Sequence, residues 1–254
     1  VNVYAKKREF ISGKATLVLR VLDVTPPAII FLYPQNESII REAIEIRFDI
    51  YESHIYFLDI YLNEVLVETL QRNGSITIQV DTRELLDGSY IFCVYAVDRH
   101  NNTAKAVLLL IVDNTPPEIL RVDAPSSHPE GKDIEIYAWL SDNTSGISSV
   151  YLWYRVNGGE WKNITMVFDG EKWLGKIPGQ KIGCLVELYI EAIDKAGNIA
   201  KSKTYLIEIK VSMQRIIVSI IISIIVVLIV FLFLDRKYEL LKKLRTQFRK
   251  SRTA

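Results

Sequence analysis

Apolar and polar residues alternate along most of the first 211 positions. Ile44, Ile46, Phe48 and Ile50 show the period of two, as do Ile134, Ile136, Ala138 and Leu140, with acidic or polar residues between several of them. That spacing puts the apolar side chains on one face of an extended chain and predicts half-buried strands. Turn signals punctuate the strands at Asn73-Gly74, Asp87-Gly88, Asn157-Gly158-Gly159 and Asp169-Gly170, and no long helical pattern intervenes. The predicted class is all-β. One stretch breaks the alternation: residues 216–234 hold nineteen positions without a charge, interrupted only by Ser219 and Ser223. As a helix it would span roughly 28 Å, close to the ~30 Å hydrocarbon core of a bilayer. A buried strand segment would need polar punctuation every few residues, so a transmembrane helix is predicted.

Charge is sorted along the chain. The formal net charge is +1, but residues 235–254 carry Arg236, Lys237, Lys242, Lys243, Arg245, Arg249, Lys250 and Arg252 against Asp235 and Glu239, a local +6 that leaves −5 for the rest. Lys210 and Arg215 are the only bases immediately before the apolar stretch, so the bias of bases predicts a cytoplasmic C-terminus and an extracellular N-terminus. Leu240, Leu241, Leu244 and Phe248 recur at helical spacing among the bases. They suit a basic amphipathic helix on the inner leaflet or a plain stop-transfer tail, and the plain tail is the reading taken. Ser219 and Ser223 form a small-x-x-x-small pair, a weak signal for helix pairing. With its bases gathered in a tail, the chain lacks the folded basic face that phosphate recognition needs, which argues against a nucleic-acid partner.

Internal repeats set the domain organisation. Asp23-Val24-Thr25-Pro26-Pro27 and Asp113-Asn114-Thr115-Pro116-Pro117 lie 90 residues apart, each opening onto an apolar run. A second motif recurs around Ala5, Ala96 and Ala192, in Val3-Tyr4-Ala5, Val94-Tyr95-Ala96-Val97-Asp98 and Tyr189-Ile190-Glu191-Ala192-Ile193-Asp194. One β-sandwich takes about 100 residues, so two complete copies are expected at 24–114 and 115–211. Residues 1–23 are then the last hairpin of an upstream domain, which implies that the protein continues before Val1. The transmembrane helix is assigned to 212–234, with its core at 216–234, and the basic tail to 235–254. The Pro pairs suit short, stiff connections, so a semi-rigid ectodomain is expected. Cys93 and Cys184 fall in different copies, where neither can pair within its own domain, and two buried free thiols are expected.

These openings, with Leu86-Asp87-Gly88-Ser89-Tyr90 before a strand, the Asp142-Asn143-Thr144-Ser145-Gly146-Ile147 turn and Ala192-Ile193-Asp194-Lys195-Ala196-Gly197-Asn198, form a recognisable set. The set resembles the Ig-like and fibronectin-III-like repeats of bacterial and archaeal surface proteins with a C-terminal membrane anchor, over residues 24–211. The resemblance implies tandem Ig-like β-sandwiches followed by one membrane helix. It is a weak guide to function, because such modules serve as spacers, adhesins and accessory domains of exported enzymes.

Candidate chemistry is sparse. Asn36, Asn73, Asn101, Asn143 and Asn163 each begin an N-x-Ser/Thr sequon, all before the apolar helix, and are candidate N-glycosylation sites. Asp98, Asp142 and Asp194 lie in turns beside Asn and Gly. Converging loop carboxylates of this kind can hold Ca²⁺, but without a continuous D-x-D-x-D-G loop the reading taken is turn capping through Asx hydrogen bonds, and no metal or cofactor is assigned. His54, His100 and His128 are scattered, no catalytic motif is present, and no enzyme activity is assigned. Trp139, Trp153, Trp161 and Trp173 all fall in the last domain, where core and sheet-face packing is expected. The expected function is a membrane-anchored extracellular stalk serving adhesion or envelope architecture. The rival reading is the tether and accessory domains of an exported enzyme, such as a protease, whose catalytic domain lies upstream. The expected partners are the lipid bilayer, other surface proteins and carbohydrate.

Overall fold

A computed structural model describes residues 22–250, in two compact units drawn mainly from residues up to Ile111 and from Val112 onward. Residues 1–21, with the hairpin expected there, and residues 251–254 of the tail lie outside the described residues. The first unit holds β1 (Ala28–Tyr33), β2 (Ser38–Ile40), β3 (Ala43–Tyr51), β4 (Ile55–Leu62), β5 (Val65–Leu70), β6 (Gly74–Asp81), β7 (Gly88–Asp98) and β8 (Thr103–Val112). The second holds β9 (Glu118–Asp123), β10 (Ser127–Pro129), β11 (Ile134–Ser141), β12 (Ile147–Val156), β13 (Lys162–Thr165), β14 (Val167–Phe168), β15 (Trp173–Ile177), β16 (Leu185–Asp194), β17 (Ile199–Lys201) and β18 (Tyr205–Lys210). The helix α1 (Met213–Lys250) follows.

In the first unit, a sheet of order β1-β3-β6 faces a sheet of order β2-β8-β7-β4-β5. The alternation read in the sequence decides which side chains meet. Ile46, Phe48 and Ile50 of β3 are buried while Glu45 before them and Arg47 among them are exposed, and Leu58 and Ile60 of β4 oppose them with Phe92, Val94 and Ala96 of β7. Phe31, Phe48 and Phe92 join the two sheets, with ring centroids 5.8 to 6.4 Å apart in tilted and edge-on pairs. Pairs of this geometry add roughly 0.5–1.5 kcal/mol beyond their area burial.

The second unit repeats the plan with sheets β14-β15-β11-β9 and β10-β18-β16-β12-β13, β17 pairing with β16 as well. Its pairs are antiparallel except β10 with β18. Ile134, Ile136, Ala138 and Ile177 from one sheet meet Val150, Leu152, Val186, Leu188, Ile190 and Ile207 from the other. Trp173 packs against the edge of this core. Trp139, Trp153 and Trp161 lie outside it: Arg121 lies over Trp139, Arg155 over Trp161, and Trp153 stacks on Tyr189.

One expectation needs correction. Cys93 is a buried free thiol, but Cys184 is only partly buried, because it sits in the turn before β16 and not on its inward-facing register; the Asn157 side-chain amide donates to its Sγ at 3.6 Å. The helix that carries the apolar stretch continues past Leu234. Residues 213–250 contain no Gly or Pro, and α1 runs unbroken from the apolar stretch through the basic residues for 38 residues, about 57 Å. Ser212 caps its start: the Ser212 hydroxyl accepts from the Arg215 backbone N–H at 3.2 Å and the Ser212 carbonyl from Ile216 N–H. The Arg215 guanidinium reaches both carboxylate oxygens of Glu130 at 3.0 Å. The Ser223 hydroxyl is satisfied within the helix by the Ser219 carbonyl at 2.8 Å.

Because all four tryptophans lie in the second unit, their fluorescence reports its unfolding. Leu152→Ala, which empties the centre of that core, is expected to destabilise the unit by about 2–5 kcal/mol in urea titrations followed by tryptophan emission.

Candidate functional site

The two repeats that mark the sequence meet at one end of each unit. In the first, the turn after β7 closes on itself: Asp98 N–H donates to the Asn102 carbonyl at 3.1 Å, and Asp98 Oδ1 accepts from the backbone N–H groups of His100 and Asn102 at 2.8 Å each. The Asn102 side-chain amide then bridges Asp98 Oδ2, at 2.7 Å, to the Asp23 carbonyl, at 3.1 Å. The Asp of the D-x-T-P-P opening is thereby fastened to the last hairpin of its own domain.

The second unit reproduces this clamp. Asp194 N–H donates to the Asn198 carbonyl at 3.2 Å, Asp194 Oδ1 accepts from Asn198 N–H at 2.8 Å, and the Asn198 amide bridges Asp194 Oδ2, at 2.8 Å, to the Asp113 carbonyl, at 3.0 Å. A third loop joins here. Between β11 and β12, Asp142 Oδ1 accepts three backbone N–H groups, from Thr144 at 3.1 Å, Ser145 at 3.0 Å and Gly146 at 2.6 Å. The Asx capping read for Asp98, Asp142 and Asp194 is present at Asp98 and Asp142, while Asp194 closes its turn through Asn198 N–H four residues on.

The clamp also gathers charge. Carboxylate oxygens of Asp113, Asp142 and Asp194 lie within 4.8 Å of one another. Asp113 and Asp194 are 0% and 2% exposed, and Ser145, beside them in sequence with Asp142, is 7% exposed. Asp113 Oδ1 accepts from Thr115 N–H at 3.3 Å, but its Oδ2 and the Ser145 hydroxyl are buried without a hydrogen-bond partner. Burial, together with the negative charges of Asp142 and Asp194, pushes the Asp113 carboxyl above its ordinary range.

The first unit places a different set at the same end. Asp23 approaches Glu52 and His54 of the β3–β4 loop, and Asp98 and His100 of the β7–β8 turn. The His54 and His100 rings stand edge to face with centroids 6.2 Å apart, so two of the three histidines scattered in sequence are neighbours in space. Ser53 Oγ lies 2.8 Å from His54 Nδ1 and 3.3 Å from Glu52 Oε1, a local contact between adjacent residues on an exposed loop. Burial penalises the Asp98 charge, but the hydrogen bonds from Asn102 and His100 outweigh it and hold this carboxyl below its ordinary range.

Sequence reasoning assigned no functional role to Asp23, Asp113, Glu52, Asn102 or Asn198. The signal was available in the repeats themselves, because Asp23 and Asp113 recur with Asp98 and Asp194, and with Asn102 and Asn198, at nearly the domain spacing. All five sequon asparagines, Asn36, Asn73, Asn101, Asn143 and Asn163, have exposed positions. An open groove in the first unit is lined by Tyr61, Asn63, Ile91, Cys93, Tyr95 and Lys105.

No family model and no curated protein matches the sequence. Among solved structures, domains A168–A170 of titin are similar at 12% identity and a TM-score of 0.50, over 72% of this chain and 65% of that one. The fibronectin(III)-like modules of CbhA from Clostridium thermocellum are 16% identical, with a TM-score of 0.42, over 72% of this chain and 94% of theirs. The FN1–FN3 domains of chicken CNTN1 are 11% identical, with a TM-score of 0.36, over 70% and 68%. At such identities the likeness is one of fold. The chain is of the Ig-like and fibronectin-III-like β-sandwich class, with one C-terminal helix long and apolar enough to cross a membrane.

The raised Asp113 carboxyl has a pH consequence. The folded state holds this proton more tightly than the unfolded chain, so ionisation of Asp113 opposes folding fully above the raised value, and the penalty fades as pH falls toward the ordinary 3.8. In chelator at neutral pH, Asp113→Asn is expected to raise the thermal midpoint of the second unit. The gain over the native chain should shrink steadily on acidification, as followed by tryptophan fluorescence.

Proposed function

We propose that this chain is the membrane-proximal part of a single-pass surface protein, with its Ig-like domains outside the cell and the basic end of α1 in the cytoplasm. Those domains would act as a spacer serving adhesion or envelope architecture. The observation that carries the reading is the junction of sandwich and helix. Only Val211 and Ser212 separate β18 from α1, and the apolar side chains of α1 from Ile216 to Leu234 are all exposed, covered by none of the described residues. A bare apolar surface of that length is costly in water and suited to lipid.

Two further features support the arrangement. Apart from Arg215, the bases of α1 follow its apolar part, as expected for a cytoplasmic end. The exposed sequons all precede α1, on the side where glycans would be added. The domains fit spacing or adhesion, since the polar groups at their ends hold turns together.

Topology is tested by adding protease to intact cells that express the chain with an epitope after Ala254. The ectodomain should be digested and the epitope retained; loss of the epitope with the ectodomain intact would reverse the orientation. In a host with N-glycosylation, enzymatic deglycosylation should lower the mass of the chain. Replacing Asn36, Asn73, Asn101, Asn143 and Asn163 with Gln should abolish that shift on gels.

A further inference from the structure

We propose that Asp113, Asp142 and Asp194 form a Ca²⁺ site in the second unit, with the Ser145 hydroxyl beside it. Three carboxylates carry a formal charge of −3 into a largely buried space, and among the described residues none of the three forms an ion pair with a base. Lys195, next to Asp194, instead extends its Nζ toward Gly146, 3.5 Å from where a Cβ there would stand. Buried charge without a partner costs several kcal/mol, so the cluster calls for protons or a cation.

The oxygens left over point to the cation. Asp113 Oδ2 is fully buried with no donor at hydrogen-bond distance, and Ser145 Oγ, near enough to favour the Asp113 charge, is buried and likewise has no partner at that distance. Asp142 spends its Oδ1 on three backbone N–H groups, which fixes the carboxylate in place and leaves Oδ2 to coordinate. The donors are all oxygens, with neither His nor Cys in the cluster, which selects a hard cation. The ligand set favours the larger one, because a cage of several protein carboxylates is the Ca²⁺ pattern, whereas Mg²⁺ dehydrates reluctantly and keeps most of its waters.

The first unit is the internal comparison. It shares the Asp–Asn clamp, but Glu52, His54 and His100 stand around Asp23 where the second unit has Asp142, so imidazoles take the place of a third carboxylate. One site is therefore expected, in the second unit alone. Occupancy would tie together the segment leading into β9, the β11–β12 loop and the β16–β17 turn, which the Asn198 amide and the bond from Lys195 N–H to the Gly146 carbonyl at 3.0 Å already join in pairs around a cluster of like charges.

The test uses the full chain in detergent micelles, freed of divalent ions with chelator and titrated calorimetrically with CaCl₂. One equivalent should bind with a Kd of about 0.1–1 mM, the range of extracellular modules, and the thermal midpoint should rise with Ca²⁺ and not with equal Mg²⁺. Asp142→Asn keeps an oxygen for the three backbone N–H groups while removing the charge, and should weaken binding roughly tenfold or more. Asp98→Asn in the first unit should leave binding unchanged. Hydrogen exchange on the native chain gives a reading that needs no variant: amides of residues 113–115, 144–146 and 198 should slow on adding Ca²⁺. No uptake of Ca²⁺ up to about 10 mM, full retention in Asp142→Asn, equal stabilisation by Mg²⁺, or unchanged exchange at those amides would each overturn the proposal.

Discussion

Closure of two apolar sheet faces on each other is the constraint on which both units depend. Each fully buried aliphatic or aromatic side chain contributes roughly 1.5–3 kcal/mol, and nothing else in the chain offers a comparable term. The inward positions of β3, β4 and β7, and of β11, β12 and β16, carry little but Ile, Leu, Val, Phe and Ala. Polar chemistry is consequently displaced to the ends of the sandwiches, where strands run out and loops turn. Buried polar side chains such as Asp98, Asp113, Asp194 and Asn198 occur there, and each demands a partner that the core cannot supply.

The Asp–Asn clamp answers that demand in both repeats, with donor distances that agree within about 0.1 Å across the two copies for each equivalent bond. What differs is the remainder. In the first unit the surrounding loop supplies imidazoles and a carboxylate beside Asp23, and hydrogen bonds outweigh the burial of Asp98. In the second, Asp142 brings a third carboxylate, and Asp113, which stands where the first unit has Asp23, is raised chiefly by burial with the charges of Asp142 and Asp194 added. One hydrogen-bonded frame thus carries two different sets of charged neighbours.

The strands were legible because period-two alternation is local: Ile44 to Ile50 and Ile134 to Leu140 declare their faces without reference to anything distant. The apolar helix was legible for the same reason. The carboxylate cluster was not, because Asp113, Asp142 and Asp194 are 29 and 52 residues apart and meet only after two sheets have formed. Asp113 looked like punctuation before a proline pair, and His54 and His100 looked scattered. Aligning the repeats would have paired Asp113 with Asp194 through Asn198, but nothing local announces that the Asp142 turn reaches the same end. Cys184 shows the converse limit, since periodicity is silent about a residue that has left the strand for its turn.

The far end of α1 follows from continuity. For the basic residues to lie along a leaflet, a helix that has just crossed the bilayer would have to bend sharply, and bends of that kind are made by Pro, Gly or an interrupted hydrogen-bond ladder. Residues 235–250 contain neither Pro nor Gly, and α1 is unbroken across them. On the proposed reading these residues leave the membrane along the axis of the span, reaching about 24 Å beyond Leu234. Lys242 stands one turn after Glu239, their charged groups 4.0 Å apart, and Asp235 and Glu239 intersperse acid among the bases. Such mixing suits a helix exposed on all sides, whereas an amphipathic surface anchor would gather its leucines on one lipid-facing stripe with bases along its flanks. Leu240, Leu241 and Leu244 are exposed in α1 and cover only a short patch. The same absence of helix breakers that lets α1 cross the apolar region therefore carries its charges straight away from it.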